Sequence, residues 1–181
     1  MAGHLIRKIE ENGGCLDTGF LATPYLLDAI CKTGRVDQAY QLLLQTKCPS
    51  WLYEVKQGAT TIWENYIAYK EDGTPVMTSL NHYAFGCVDD WMFRKISGIQ
   101  PAAPGFKEIV IAPELNDAFT NAKRAYMSEY GKIATAWDFK DGKFHIEVDI
   151  PCNTTAVVNL PDGSSYKIGS GSYTFDCDIK Q

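Results

Sequence analysis

The sequence predicts an α+β protein of two unlike parts: a helical first half, then a small antiparallel β-sandwich. Apolar residues recur at helical spacing up to about residue 100 and alternate with polar residues after it. The two regimes meet at a Pro/Gly-rich connector, Gly98-Ile99-Gln100-Pro101-Ala102-Ala103-Pro104-Gly105. The expected domains are therefore residues 1–99 and residues 100–181.

In the first half, Leu5 to Glu11 reads as a helix ended by Gly13-Gly14. Thr23-Pro24 reads as a helix start, because Thr caps and Pro suits the first helical position. That helix is expected to reach about Lys32 and stop at Gly34. The next, from about Val36 to Gln45, puts Val36, Ala39, Tyr40 and Leu43 on one face. The link is short, so the two are expected to pack as an antiparallel hairpin. Ser79 to Ile96 reads as the longest helix. One stripe carries Leu80, Ala84, Cys87 and Trp91, and a second carries His82, Phe85, Asp89 and Met92. Two occupied faces suggest an inner helix.

In the second half, Phe144, Ile146, Val148 and Ile150 alternate with His145, Glu147 and Asp149, the pattern of a half-buried strand. Asp141-Gly142 before it signals a type I′ hairpin. Further strands are expected at Phe106–Ile111, Arg124–Ser128, Ile133–Phe139 and Thr155–Leu160, at Tyr166, and from Tyr173 onward. Turns at Asp162-Gly163 and Gly169-Ser170-Gly171 complete a small sandwich.

Composition excludes several classes of function. With 45% hydrophobic and 22% charged residues in 181, the chain is neither disordered nor collagen-like. A net charge of -5 without a Lys/Arg run argues against nucleic-acid or anionic-membrane partners. No apolar stretch has transmembrane length, and the first residues lack the basic and apolar regions of a secretory signal. The six cysteines form no C-x-x-C pair and no zinc spacing with a His. They read as reduced, buried thiols, which favours a reducing, cytoplasmic compartment. No metal site or cofactor motif is present, including G-x-G-x-x-G and the P-loop.

The densest segment runs from Pro49 to Glu64, with Trp51, Tyr53, Glu54, Trp63 and Glu64 around a Gly58-Ala59-Thr60-Thr61 turn. Sugars are bound by aromatic faces together with carboxylates and amides, and glycosidic cleavage needs two carboxyl groups. Glu64 beside Trp63 suits one of those roles. The same composition also suits Trp residues in the core with Glu54 and Glu64 solvated. His82 suits either a donor to a sugar hydroxyl or a satisfied core histidine. Asp89-Asp90 is a weaker carboxylate pair, because adjacent helix residues point apart. His145 reads as solvent-exposed, and His4 as part of a frayed terminus.

The segments Thr18-Gly19-Phe20-Leu21-Ala22-Thr23-Pro24-Tyr25-Leu26-Leu27, Pro49-Ser50-Trp51-Leu52-Tyr53, Gly58-Ala59-Thr60-Thr61-Ile62-Trp63-Glu64 and Asn81-His82-Tyr83-Ala84-Phe85-Gly86 occur in this order. Gly98-Ile99, Pro104-Gly105-Phe106-Lys107 and Pro151-Cys152-Asn153-Thr154-Thr155-Ala156 follow them. In order and spacing they resemble bacterial α-L-rhamnosidases of glycoside hydrolase family 78. The resemblance spans nearly the whole chain. It implies the last helices of an (α/α)6 barrel followed by a C-terminal β-sandwich, in an enzyme that removes terminal α-L-rhamnose with inversion. It also implies that Glu64 matches the general base and that His82 contacts the sugar. Trp63 and Trp51 are implied near the rhamnose, whose methyl group needs an apolar wall. The family's general acid lies upstream, and nothing in residues 1–181 matches it.

The expected partners are thus a rhamnose-containing glycoside or polysaccharide and the missing N-terminal barrel portion. The open barrel segment is expected to expose apolar helix surface and to self-associate as a homo-oligomer. Two other readings stand beside the enzyme fragment: a non-catalytic carbohydrate-binding module working through the sandwich, and a structural cap of a larger barrel.

Overall fold

The computed structural model describes residues 2–70 and 72–179. The chain forms two compact units, one up to Asp90 and one from Trp91.

The first unit begins with α1 (Ala2–Glu11), α2 (Thr23–Cys31) and α3 (Val36–Leu43), with α2 packed on α3. The buried faces carry Leu26, Leu27 and Ile30 from α2 and Ala39, Tyr40, Leu42 and Leu43 from α3. His4 lies within α1, against the Arg7 guanidinium at 2.8 Å, rather than in a frayed end. Thr23 does not cap α2. The cap position is Ala22, and the Thr23 hydroxyl lies within hydrogen-bond distance of the Thr18 and Gly19 carbonyls, closing the turn before the helix.

The segment without a clean period contains a short helix, α4 (Trp51–Lys56), capped by the Ser50 hydroxyl accepting the Tyr53 N–H at 3.1 Å. The long helix expected over 79–96 is not formed. Residues 79–83 are irregular, Ala84–Cys87 make one 3₁₀ turn, and only α5 (Val88–Lys95) is α-helical. Backbone groups of 79–82 bond instead to 61–64, and the Ser79 hydroxyl accepts the Asn81 N–H at 3.2 Å. Such local side-chain bonds compete with helix formation. The stripe Leu80-Ala84-Cys87-Trp91 therefore does not exist as a face: Leu80 is exposed, whereas Trp91 is buried.

The second unit holds two four-stranded sheets. One is ordered β1 (Ile99–Pro101), β2 (Glu108–Ile111), β6 (Thr155–Asn159), β7 (Ser165–Ile168). The other is β3 (Asn121–Ser128), β4 (Gly131–Lys140), β5 (Lys143–Ile150), β8 (Gly171–Asp178). Strand pairs are antiparallel except β2 and β6, which run parallel from Glu108 beside Thr155. The expected connector contributes β1, whose Ile99 pairs with Ile111. Asp141 and Gly142 both have positive φ, 52° and 76°, between paired Lys140 and Lys143, as a type I′ turn requires.

The core of this unit takes alternate residues of β4 and β5, Ile133 and Trp137 with Phe144, Ile146 and Val148. Ile99, Ile109, Ile111 and Val158 come from the other sheet. Trp137 Nε1–H donates to the Ile96 carbonyl at 2.7 Å, so its one polar atom is satisfied inside an apolar site. Gly98 is confined by more than its positive φ of 82°: a Cβ there would lie 2.5 Å from the Pro113 nitrogen. His145 is half-exposed rather than fully solvated, and its Nδ1 lies 2.8 Å from Asp176, which raises its pKa. All six cysteines are free thiols. Only Cys15 is buried; Cys152 is exposed and the others are half-buried.

Candidate functional site

The first unit brings together the two segments richest in chemistry. Residues 61–64 run beside residues 79–82, held by three bonds. Thr61 Oγ1 donates to the Leu80 carbonyl, His82 N–H donates to the Ile62 carbonyl at 2.8 Å, and Glu64 N–H donates to the Ser79 carbonyl at 3.0 Å. A fourth bond involves a functional side chain: Ser79 N–H donates to Glu64 Oε2 at 2.9 Å. Glu64 is thus oriented by backbone at both its amide and its carboxylate, with Oε1 left for other work.

Glu64 is half-buried and lines an open cleft of about 410 Å³ with Asp17, Phe20, Tyr66, Ile67 and Phe85. Phe20 also forms one side of the His82 environment. Its ring stacks on the imidazole at 4.9 Å and 15°, and Tyr83 stacks on His82 at 5.3 Å and 11°. Ala84 N–H donates to His82 Nδ1 at 3.3 Å. A neutral imidazole has one acceptor nitrogen, so this bond assigns the proton to Nε2. In that tautomer Nε2–H is the atom with which His82 donates.

The two indoles are core residues of this unit. Trp51 is 6% exposed and Trp63 is 3% exposed. Trp51 Nε1–H donates to the Phe85 carbonyl at 2.9 Å, and its ring meets Tyr66 edge-on. Trp63 packs against Tyr69. Neither presents an open face in this chain; they back the segment that carries Glu64. Asp89 and Asp90 sit in the first turn of α5 and are not among the cleft-lining residues.

Glu54 departs most from the solvated reading. It is 2% exposed on α4, and its Oε2 accepts the Trp63 N–H at 3.2 Å. Burial pushes its pKa up to about 7, opposed only in part by that hydrogen bond. An unfolded Glu54 titrates near 4.5, so between 4.5 and 7 the folded chain keeps a proton that the unfolded chain has released. Stability therefore falls as pH rises through that window, by about 3 kcal/mol in total. Glu54→Gln cannot ionise and is expected to remove this slope. Denaturation below pH 4.5 and above pH 7 should show the variant gaining on the parent at the higher pH. Parallel pH curves for the two chains would contradict the assignment.

Glu54 stands out in the sequence only as one carboxylate of the Pro49–Glu64 segment, and Asp17 and Phe20 are marked by neither composition nor motif as site residues. Phe20 was visible only inside a family segment, and burial of Glu54 is a tertiary property. The second unit offers a separate trough of about 340 Å³ on the β3-β4-β5 face, floored by Ala125, Ala134 and Ala136 and edged by Lys123, Lys132 and Glu147. No aromatic ring lines it, so it lacks the stacking surface that a sugar platform needs. Among the described residues, no group of three or more His, Cys, Asp or Glu is arranged to hold a metal ion, and no helix is long and apolar enough to cross a membrane.

The family model described as the bacterial α-L-rhamnosidase 6 hairpin glycosidase domain matches residues 1–96, more than half of the chain. The chain belongs to the bacterial α-L-rhamnosidase family. The family's C-terminal domain model matches residues 98–175. An α-L-rhamnosidase of Formosa agariphila is 40% identical over 181 residues, covering 97% of this chain and 20% of that protein. One from Streptomyces avermitilis is 38% identical, covering 96% of this chain and 19% of that protein. The chain therefore spans about one fifth of the length of the curated relatives it matches.

Solved structures agree. The S. avermitilis α-L-rhamnosidase complexed with L-rhamnose superposes with a TM-score of 0.93 at 36% identity, over 98% of this chain and 19% of that one. The native enzyme from Aspergillus terreus gives a TM-score of 0.93 at 35% identity, over 97% of this chain and 21% of that one. Helices followed by antiparallel-rich sheets are thus the architecture of the C-terminal part of a rhamnosidase.

Proposed function

We propose that this chain supplies the base half of the active site of an inverting glycosidase that removes terminal α-L-rhamnose. The observation that carries the reading is the pairing of 61–64 with 79–82, which sets Glu64 in the cleft and His82 on neighbouring backbone, stacked on Phe20 of that cleft. In the proposed reaction Glu64 is the general base. Ser79 N–H occupies Oε2, and Oε1 takes the proton of the attacking water. His82 donates from Nε2–H to a sugar hydroxyl, with Phe20 and Tyr83 holding its plane. Trp51 and Trp63 act from behind, as the apolar backing of the site.

The acid that protonates the leaving oxygen comes from barrel helices outside residues 1–181. An inverting pair leaves roughly 6.5–9.5 Å between its carboxyl groups for the water. The exposed apolar side chains of this unit, Leu21 at 91% and Tyr83 at 89% among them, are the surface those helices cover. Without them, the same surface drives self-association.

Titration of the labelled chain with L-rhamnose, followed by NMR, tests the reading. Shift changes are expected at Glu64, His82 and Phe20, with binding lost in His82→Ala and kept in Glu64→Gln, whose side chain meets water rather than the sugar. Binding that survives both variants and maps to the sandwich would instead favour a carbohydrate-binding module. Absence of any binding by a folded chain would leave a structural cap.

A further inference from the structure

We propose that Glu54 is a positioning residue for Glu64: a buried carboxyl that grips the Trp63 amide and so fixes the backbone from which the base projects. The inference rests on the proposed role of Glu64 and adds the device that holds it.

Glutamate is almost never fully buried without a partner, because desolvation is costly and an apolar side chain of similar volume packs without that cost. Here the partner is not a cation. Among the described residues no ion pair reaches Glu54. Oε2 accepts the Trp63 N–H, and Oε1 has no hydrogen-bond partner. A carboxyl kept under those conditions points to a role that an apolar residue does not fill.

The geometry says what the role is. The Glu54 carbonyl accepts the Gln57 N–H at 3.0 Å and the Ala59 N–H at 3.1 Å, which closes α4 and opens the turn toward Trp63. One residue therefore holds both ends of the loop, Ala59 by its backbone and Trp63 by its side chain. Trp63 immediately precedes Glu64, and Ser79 holds Glu64 from the other side. Glu64 is thus clamped between α4 and the 79–82 segment. Glu54 is not itself a reacting group, since it is buried and Oε2 is taken by the amide.

The hold needs an acceptor, not a charge. Gln at this position keeps an oxygen for the Trp63 N–H; Met fills the volume without one. The titratable group facing Glu54 is Tyr66, whose phenol is pushed up in pKa mainly by burial and also by the Glu54 and Cys87 charges. Ionisation of Glu54 is therefore read at the Trp63 amide as well as at Tyr66.

The test uses the full chain for spectroscopy and a protein carrying this chain with the acid-bearing barrel helices for kinetics. In the chain, Glu54→Met is expected to lower hydrogen-exchange protection of the Trp63 amide about tenfold, and Glu54→Gln to preserve it. In the active protein, Glu54→Met should lower kcat about tenfold with KM changed less than about twofold, and Glu54→Gln should restore kcat. The Trp63 amide signal of the parent should titrate with a midpoint near 7, and that of Glu54→Gln should not, which gives a readout even if the Met variant does not fold. A folded Glu54→Met with unchanged Trp63 protection and kcat overturns the proposal, provided Glu64→Gln abolishes turnover. Unchanged Trp63 protection in a folded Glu54→Ala does the same if the Met variant does not fold. If Glu64→Gln itself leaves turnover intact, it is the assignment of the base that fails.

Discussion

Glu64→Gln, in a protein that carries this chain together with the acid-bearing barrel helices, is expected to lower kcat for an aryl α-L-rhamnoside about 10³-fold. That corresponds to about 4 kcal/mol of transition-state stabilisation. The substitution is nearly isosteric. Gln still accepts the Ser79 N–H that orients the side chain, so the loop geometry should survive. What is lost is the carboxylate that takes the proton from water. KM should change little, since the base meets water rather than the sugar. A kcat within about tenfold of the parent would remove Glu64 from the base role.

Trp137→Ala is expected to cost the second unit about 3–5 kcal/mol. Trp137 is buried at the centre of β4, opposite Ile146 and 5.8 Å from the Phe144 ring. Truncation leaves a cavity on the buried face of β4, beside Phe144. It also strands the Ile96 carbonyl, which now accepts the indole N–H. Urea denaturation followed by the strand signal measures the loss; a change below about 1 kcal/mol would mean that the site repacks. Trp137→Phe should recover part of the volume but not the hydrogen bond.

Local chemistry made much of the fold legible. The alternation from Phe144 to Ile150 and the Asp141-Gly142 turn predicted β5 and its hairpin, because both signals lie within the residues that form them. The helix expected over 79–96 shows the limit. Leu80, Ala84, Cys87 and Trp91 have helical spacing, but the 79–82 backbone is claimed by 61–64, a contact that spacing does not encode. The parallel pairing of β2 with β6 and the strand inside the Pro/Gly connector were hidden for the same reason.

The site was legible to the same degree. Glu64 and His82 were found through two short motifs and the family they resemble. The stacking of His82 on Phe20 of the Glu64 cleft and the clamp on Glu64 belong to tertiary structure. Glu54 looked like a solvated acid because a carboxylate in a mixed-period segment usually is one. Its burial follows from α4 turning inward beneath Trp63.

In the proposed reaction, residues 1–181 hold one half of a catalytic pair. The most direct test is hydrolysis of an aryl α-L-rhamnoside by the purified chain, beside Glu64→Gln, once circular dichroism shows both folded. The prediction is no turnover above background from either. Turnover by the parent chain that disappears in Glu64→Gln would contradict it, placing a second working carboxyl within this chain or a neighbouring copy and making Asp17, Asp89 and Asp90 the residues to replace next.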